Sequence, residues 1–120
     1  MNEYKEIIID HYKNPRNQGE LADADMVIDE ANASCGDIIK IFVKIKDGII
    51  MDMKWQGVGC AISTAGASML SEKIIGMTKE KVINFGEKGV VEMLGGEINA
   101  GRMKCATLAY RGLLKMFEDK

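Results

Sequence analysis

Apolar and polar positions alternate most clearly over residues 38–56, IIKIFVKIKDGIIMDMKWQ. A period of two predicts β-strands with one buried face, and Asp47-Gly48 marks the turn between two antiparallel strands. The odd-numbered positions are apolar in both strands and predict the buried face: Ile39, Ile41, Val43, Ile45, Ile49, Met51, Met53 and Trp55. A smaller apolar set lies on the opposite face and predicts an exposed surface for a partner or a second copy of the chain: Ile38, Phe42 and Ile50.

The length of the hairpin loop decides which side chains share a face. A two-residue loop pairs Val43 with Asp52, which places an apolar and an acidic side chain together. A three-residue loop that includes Lys46 pairs Val43 with Met51 instead. Because a slip of one residue turns every side chain to the other face, we predict the three-residue loop, with Gly48 in the left-handed conformation.

Helical periodicity precedes and follows this hairpin. The first helix is predicted to end near Asn14, because the residue before Pro15 is disfavoured in the α region. The other predicted elements are a weak strand over 26–33 and helices over 61–75, from the cap Thr78, over 87–94 and over about 102–118. Strands followed by helices predict an α+β fold, with a small three-stranded antiparallel sheet, helices packed on one face and a single domain over residues 1–120.

The overall composition is that of a soluble globular domain, and it narrows the class of partner. A net charge of −2 gives no electrostatic basis for binding nucleic acid or an anionic membrane. No apolar run approaches the roughly 20 residues that span a bilayer, and the N-terminus lacks the pattern of a signal peptide. We therefore expect a cytoplasmic protein whose three cysteines are reduced or metal-bound.

The three cysteines stand in local contexts that favour a thiolate or a metal ligand. Cys35 and Asp37 are two residues apart at the start of a strand, so both are expected on the buried face. Cys60 follows two glycines and opens a helix, where backbone N–H groups favour a negative charge. Cys105 begins the last helix beside Lys104. Three thiolates and a carboxylate form a ligand set suited to Zn²⁺ or an iron–sulfur cluster.

A purely structural role for the cysteines is the alternative reading. Free cysteines are often buried, and separations of 25 and 45 residues match no zinc-ribbon or zinc-finger pattern. The flanking glycines argue against this alternative, because core positions rarely need a close backbone approach. The single histidine, His11, lies on the apolar stripe of the first helix, which favours packing over ligation and leaves no recognisable base for a cysteine hydrolase.

Four segments resemble the IscU/NifU-type iron–sulfur scaffold family over essentially the whole chain: YKEIIIDHYKNPRNQGEL, SCGDIIKIFVKI, GVGCAIS and RMKCATLAYRGL. The resemblance implies a SufE/NifU-like fold. It also implies a scaffold or sulfur carrier rather than a conventional enzyme. Such a protein accepts persulfide sulfur from a cysteine desulfurase, assembles a labile [2Fe-2S] cluster and transfers it to apo-proteins.

The same resemblance implies roles for individual residues. Cys35, Cys60 and Cys105 correspond to the family's cluster ligands and sulfur acceptors. Asp37 corresponds to the carboxylate that keeps the site labile, as a ligand or as a group that helps ligands exchange. Tyr4 matches an N-terminal tyrosine of the family, and the resemblance implies a role for it in resolving or dimerising the scaffold.

Two departures from the family pattern concern the third cysteine motif. Lys104 replaces the histidine that precedes this cysteine in the best-known members, and INAGRMK replaces the Leu-Pro-Pro-Val-Lys chaperone-docking motif. Arg-x-Lys-Cys instead resembles the SufU branch, whose site holds zinc and relays sulfur. Lys104 is therefore expected either to pair with Asp37 or to favour the thiolate of Cys105. The fourth ligand, an iron or electron donor, a homodimer and a structural zinc site stay open.

Overall fold

The computed structural model describes residues 6–33, 36–96 and 98–117. Cys35 and Tyr4 lie outside the described residues. The elements are α1 (Glu6–Lys13), β1 (Met26–Asn32), β2 (Asp37–Lys46), β3 (Ile49–Val58), α2 (Ala61–Ile74), α3 (Lys79–Met93), a 3₁₀ turn (Ala100–Arg102), α4 (Met103–Ala106) and α5 (Leu108–Lys115). The sheet is antiparallel in the order β1-β2-β3, which confirms the predicted α+β class.

The core forms between one face of this sheet and the helices that follow it. The sheet contributes buried side chains mainly from odd-numbered positions: Ile39, Ile41, Val43, Met53 and Trp55. Helices α2 and α5 pack over them and supply a large share of the same apolar cluster, including Ile62, Leu70, Leu108 and Leu113, with further members from α1, α3 and α4. No helix among the described residues is long and apolar enough to cross a membrane.

The hairpin loop differs from the prediction. Ile45 pairs with Ile50, so the loop contains two residues, Asp47 and Gly48. Both have positive φ angles, 54° and 78°. This is the backbone pattern of a tight turn that matches the twist of the flanking strands. The prediction of a three-residue loop is therefore wrong, although the left-handed conformation of Gly48 is confirmed.

A bulge in β3 resolves the mismatch that had argued against the shorter loop. The register shifts between Lys44 and Ile45, which leaves Met51 without a partner on β2. Beyond the bulge Val43 pairs with Met53, so the odd-numbered residues face the core again. Within the bulge the facing is reversed, because Ile50 is 2% exposed and Met51 is 50% exposed.

The predicted apolar surface on the opposite sheet face is also corrected. Ile50 faces the core through the bulge, and Phe42 is only 8% exposed. Ile38 is exposed, and its cross-strand neighbour Val58 is exposed as well. Cross-strand neighbours share a face, so the exposed apolar residues on this face include Ile38, Val58 and Val27, the partner of Phe42, rather than the predicted set of three.

Helices α1, α2 and α3 follow the sequence pattern closely. Helix α1 ends at Lys13, two residues before Pro15, and His11 is buried with Nδ1 2.6 Å from the Ser68 Oγ of α2. This contact confirms a packing role for His11. Thr78 caps α3 by accepting a hydrogen bond from the backbone N–H of Lys81. Helical geometry is interrupted within α3 at Gly86, where φ is 67° and ψ is 171°, so the element consists of two helical stretches, as predicted from Thr78 and over 87–94.

The last predicted helix is broken, and the break determines the position of Cys105. Thr107 has φ −100° and ψ 8°, so α4 ends at Ala106 and α5 begins at Leu108. The Thr107 hydroxyl donates to the carbonyl of Met103 at 2.8 Å, which competes with the backbone pattern of a helix. A single helix over 102–118 was therefore a wrong prediction. The separate α4 lies against α2 at Gly66, where an added Cβ would come 2.9 Å from the Ala106 carbonyl oxygen.

Candidate metal centre

Three of the predicted ligands converge where β2, α2 and α4 meet. Asp37 is the first residue of β2, Cys60 is the N-cap of α2, and Cys105 lies in α4. One carboxylate oxygen and the two sulfurs all lie within 4.8 Å of one another. Asp37 and Cys105 are buried, whereas Cys60 is partly exposed. The cluster therefore has one side that reaches solvent, through Cys60.

The two oxygens of the Asp37 carboxylate are in different situations. Oδ1 accepts a hydrogen bond from the backbone N–H of Cys60 at 3.2 Å. Oδ2 is buried and has no hydrogen-bond partner among the described residues. A buried polar atom without a partner costs free energy, and a buried charged oxygen costs more than a neutral one. A cation bound next to the two sulfurs would satisfy this oxygen.

The glycines before Cys60 are required by close contacts rather than by unusual backbone angles. An added Cβ at Gly57 would come 2.6 Å from the Ile38 carbonyl oxygen of the neighbouring strand. At Gly59 an added Cβ would overlap Ser63 Oγ and lie 2.8 Å from Asp37 Oδ1. Any larger residue at this position would push Cys60 and Asp37 apart. The two glycines of GVGC thus allow this segment to lie close to β2 and to the Asp37 carboxylate.

The N-terminus of α2 makes the Cys60 thiol more acidic. Burial by itself raises the pKa of Cys60. Hydrogen bonds from the Ser63 N–H and hydroxyl, from the Cys105 thiol and from the Ile62 N–H outweigh burial, so that the net pKa is lowered. This direction agrees with the thiolate-favouring context read from the sequence. Ser63 was not predicted; its place three residues after an N-cap was the available signal.

Cys105 has a buried polar neighbour that the sequence did not reveal. Asn32, the last residue of β1, donates from Nδ2 to Cys105 Sγ at 3.8 Å, and both residues are buried. The two residues are 73 positions apart in the chain. No short-range motif could therefore have paired them.

The segment before Cys105 is tied to β1 by a second set of contacts. Arg111 donates to the Lys104 carbonyl at 2.8 Å and to the Glu30 carboxylate at 3.2 Å. The Lys104 side chain is exposed and forms no salt bridge with Asp37. The expected pairing of Lys104 with Asp37 is absent from the described part of the chain. The other expected role, favouring the Cys105 thiolate, stays a prediction, and the Lys104 backbone carbonyl holds α4 by accepting from Arg111.

A family profile described as NifU-like N terminal domain matches residues 3–119. The chain belongs to this family. It is 39% identical to the iron-sulfur cluster assembly scaffold protein IscU 1 of Archaeoglobus fulgidus, over 97% of this chain and 75% of that protein. It is 38% identical to the zinc-dependent sulfurtransferase SufU of Bacillus subtilis, over 93% of this chain and 87% of that protein.

Solved structures agree with this assignment to the NifU-type family. A putative iron-sulfur cluster assembly scaffold protein for the SUF system from Fervidobacterium islandicum matches with a TM-score of 0.80 at 30% identity, covering 93% of this chain and 94% of that chain. The N-terminal NifU-like protein of Brucella abortus matches with a TM-score of 0.78 at 20% identity, over 94% and 90% of the two chains. The second match bears on the fold alone.

Only some of the predicted site residues lie together in the described part of this NifU-type domain. Asp37, Cys60 and Cys105 are brought together, as the sequence had indicated. Lys104 forms no ion pair with Asp37 among the described residues, and Cys35 lies outside them. On either side of the undescribed residues 34 and 35, the Asn32 carbonyl accepts from the Gly36 N–H at 2.9 Å, and Asn32 pairs with Asp37 across the strands.

Proposed function

We propose that this NifU-type protein is an assembly scaffold for iron–sulfur clusters. It accepts persulfide sulfur from a cysteine desulfurase, combines it with iron into a labile [2Fe-2S] cluster and passes the cluster to apo-proteins. The observation that carries this proposal is a buried Asp37 oxygen that has no hydrogen-bond partner in the described part of the chain and lies beside two converging thiols. The likeness to a protein named an IscU scaffold supports it.

The donor atoms suit a cluster that is cargo rather than a permanent cofactor. Thiolate sulfurs are the usual ligands of iron–sulfur clusters. Two are present among the described residues, and Cys35 adds a third in the sequence, two positions before Asp37. A carboxylate oxygen is a harder ligand than sulfur and a poorer match to a cluster. We therefore assign Asp37 the role of the exchangeable ligand that lets the cluster leave.

Sulfur delivery is a thiol exchange in this proposal. A thiolate of the scaffold attacks the terminal sulfur of the desulfurase persulfide; a new S–S bond forms, and the desulfurase cysteine leaves as a thiolate. The lowered pKa and partial exposure of Cys60 suit it to this attack, and the resemblance adds Cys35 and Cys105 as acceptors. Each transferred sulfur then needs two electrons to become sulfide. The two sulfides of a [2Fe-2S] cluster therefore need four electrons. Oxidation of two ferrous ions supplies two of these electrons, and an electron donor supplies the other two.

The test is cluster assembly on the whole chain without oxygen. Iron, zinc and acid-labile sulfide are measured per chain after incubation with ferrous iron, cysteine, a desulfurase and a reductant. We expect iron and sulfide in equal amounts in the wild type and their loss in Cys60→Ala and Cys105→Ala. Ser34→Ala, next to Cys35 in the sequence, is a control that keeps all three thiols. Protein that takes up no sulfide under these conditions contradicts the proposal.

A zinc-bound sulfurtransferase is the second candidate, favoured by the third cysteine motif. Arg102, Lys104 and Cys105 form the Arg-x-Lys-Cys pattern, and the chain is similar to a protein named a zinc-dependent sulfurtransferase. Two sulfurs and a carboxylate oxygen within 4.8 Å fit zinc, which takes such ligands in a tetrahedral arrangement. Zinc held by Asp37, Cys60 and Cys105, with Cys35 as the expected fourth ligand, would stabilise the thiolates. Zinc without sulfide, together with activation of a desulfurase, would select this candidate.

A further inference from the structure

We propose that Asn32 is a positioning residue for the Cys105 sulfur, holding it by an N–H···S hydrogen bond and moderating its strength as a ligand. The inference rests on the proposed metal or cluster site at Asp37, Cys60 and Cys105. Its basis is the 3.8 Å contact between Asn32 Nδ2 and Cys105 Sγ, in which both partners are buried. An asparagine at 5% exposure needs a polar partner, and among the described residues its Nδ2 donates to the Cys105 sulfur.

The end of β1 holds the Asn32 amide in place. Asn32 pairs across the strands with Asp37, so their side chains share one face of the sheet. That face is the one on which Asp37 meets Cys60 and Cys105. The Asn32 carbonyl is also occupied, because it accepts from the Gly36 N–H at 2.9 Å. The end of β1 and the start of β2 therefore place the Asn32 amide and the Asp37 carboxylate side by side.

Helix α4 is also held against β1 through the Arg111 side chain. Arg111 joins the Lys104 carbonyl to the largely buried carboxylate of Glu30. Glu30 and Asn32 are two residues apart on β1 and so point to the same face. Strand β1 thus holds α4 twice, once through Arg111 at its backbone and once through Asn32 at its sulfur.

An N–H donor acts on a thiolate ligand in two ways. It compensates negative charge that remains on the sulfur in a buried site, which favours the metal-bound state. It also withdraws electron density from the sulfur, and hydrogen bonds to the sulfurs are one of the factors that set the properties of iron–sulfur sites. Removal of the donor should therefore weaken metal binding and raise the energy of the sulfur lone pairs.

The experiment uses Co²⁺ as a probe on the whole chain without oxygen, because its thiolate charge-transfer bands report the electrons of the sulfur. Asn32→Leu removes the donor at similar size, and Asn32→Gln keeps an amide. Arg111→Met loosens α4 while the donor stays. Affinity is measured by competition with a chelator. Loss of an outer hydrogen bond to a ligand typically changes metal affinity about 10- to 100-fold.

We expect Asn32→Leu to bind Co²⁺ at least about tenfold more weakly and to shift the charge-transfer band to longer wavelength. Asn32→Gln should recover part of both effects. Arg111→Met should lower the affinity without moving the band, which separates positioning of the helix from the electronic effect. An Asn32→Leu band and affinity equal to those of the wild type overturn the inference while the proposed metal site stands.

A second readout needs no metal. In protein kept in a chelator, the urea midpoints of Asn32→Leu, Cys105→Ala and the double variant form a double-mutant cycle. We expect the double variant to lose less than the two single losses combined, because both remove the same contact. Strict additivity counts against the hydrogen bond. A wild type without thiolate-to-cobalt bands would refute the proposed site, whereas the cycle would still measure the contact.

Discussion

The buried oxygen of Asp37 makes a quantitative prediction about stability in the absence of metal. Substitution by alanine removes one hydrogen bond, from the Cys60 N–H to Oδ1 at 3.2 Å. A hydrogen bond to a charged group contributes about 1.5–3 kcal/mol, and this one is long enough to belong at the lower end. The same substitution removes the cost of the unpartnered Oδ2, about 1–3 kcal/mol or more for a charged atom. The two terms nearly cancel.

We therefore expect the free energy of unfolding of metal-free Asp37→Ala to lie within about 1 kcal/mol of the wild-type value. Asp37→Asn is the matched variant, because it keeps an acceptor at Oδ1 and removes the buried charge. It should be more stable than the wild type by about 1 kcal/mol. Substitution of a carboxylate that stabilised the fold would lower the free energy of unfolding much more, since breaking a fully paired buried charge costs about 3–5 kcal/mol.

The assay is urea unfolding in a chelator, followed by circular dichroism, with all three proteins compared at one pH. The slope of the transition must stay the same for the comparison to measure stability. A loss of about 3 kcal/mol or more in Asp37→Ala would show that the carboxylate stabilises the fold. That result would remove the argument that Oδ2 is reserved for a bound cation.

Three further predictions concern Asp37, Gly59 and His11. Asp37→Ala should retain an assembled cluster longer than the wild type, measured by the decay of visible absorbance in the presence of an apo-acceptor; equal lifetimes contradict an exchangeable Asp37. Gly59→Ala should cost about 1–3 kcal/mol and weaken metal binding, because its Cβ meets Ser63 Oγ and Asp37 Oδ1, whereas the control Gly101→Ala, whose nearest contact is 3.2 Å away, should cost less. Burial lowers the pKa of His11, with the Arg16 charge adding to the effect, so the folded state disfavours the protonated form. Stability should then be highest above the usual histidine pKa of about 6.5 and fall as the pH falls through the folded pKa. His11→Gln should flatten that dependence, and an unchanged pH profile in this variant would contradict the assignment.

The hairpin shows how far periodicity reaches. Alternation identified both strands and the buried odd-numbered positions, and these are confirmed for Val43 and Met53. The prediction failed at the turn, because a bulge, rather than a longer loop, brings the apolar residues of the two strands onto one face of the sheet. The chain keeps the tight Asp47-Gly48 turn and places an extra residue, Met51, in a bulge. The sequence does not show where a strand absorbs an extra residue, since the choice depends on packing across the sheet.

In the candidate site, too, residues with local sequence signals could be predicted, whereas contacts between distant parts of the chain could not. Cys60 could be predicted as a helix-opening thiol, because the glycines and the helical pattern are adjacent to it in the sequence. Asp37 could be predicted as buried from its parity with the strand. Asn32 and Arg111 could not be linked to Cys105, because each contact depends on how β1 packs against α4 and α5. The break at Thr107, which sets the angle of α4, was hidden within a continuous helical pattern.

The same packing limits how a cluster could leave the site. Asp37 begins a central strand, Cys60 caps a helix whose residues Ala65, Ala67 and Leu70 are almost wholly buried, and α4 lies against that helix at Gly66. Moving any of these elements apart would expose core side chains, and each fully buried aliphatic residue contributes about 1.5–3 kcal/mol. A change of ligand costs far less if one ligand is a carboxylate that the folded protein already holds without a full set of hydrogen bonds. If Asp37 is the exchangeable ligand, as proposed, the cluster is released without separating these elements, which gives a reason for a buried oxygen that has no hydrogen-bond partner among the described residues.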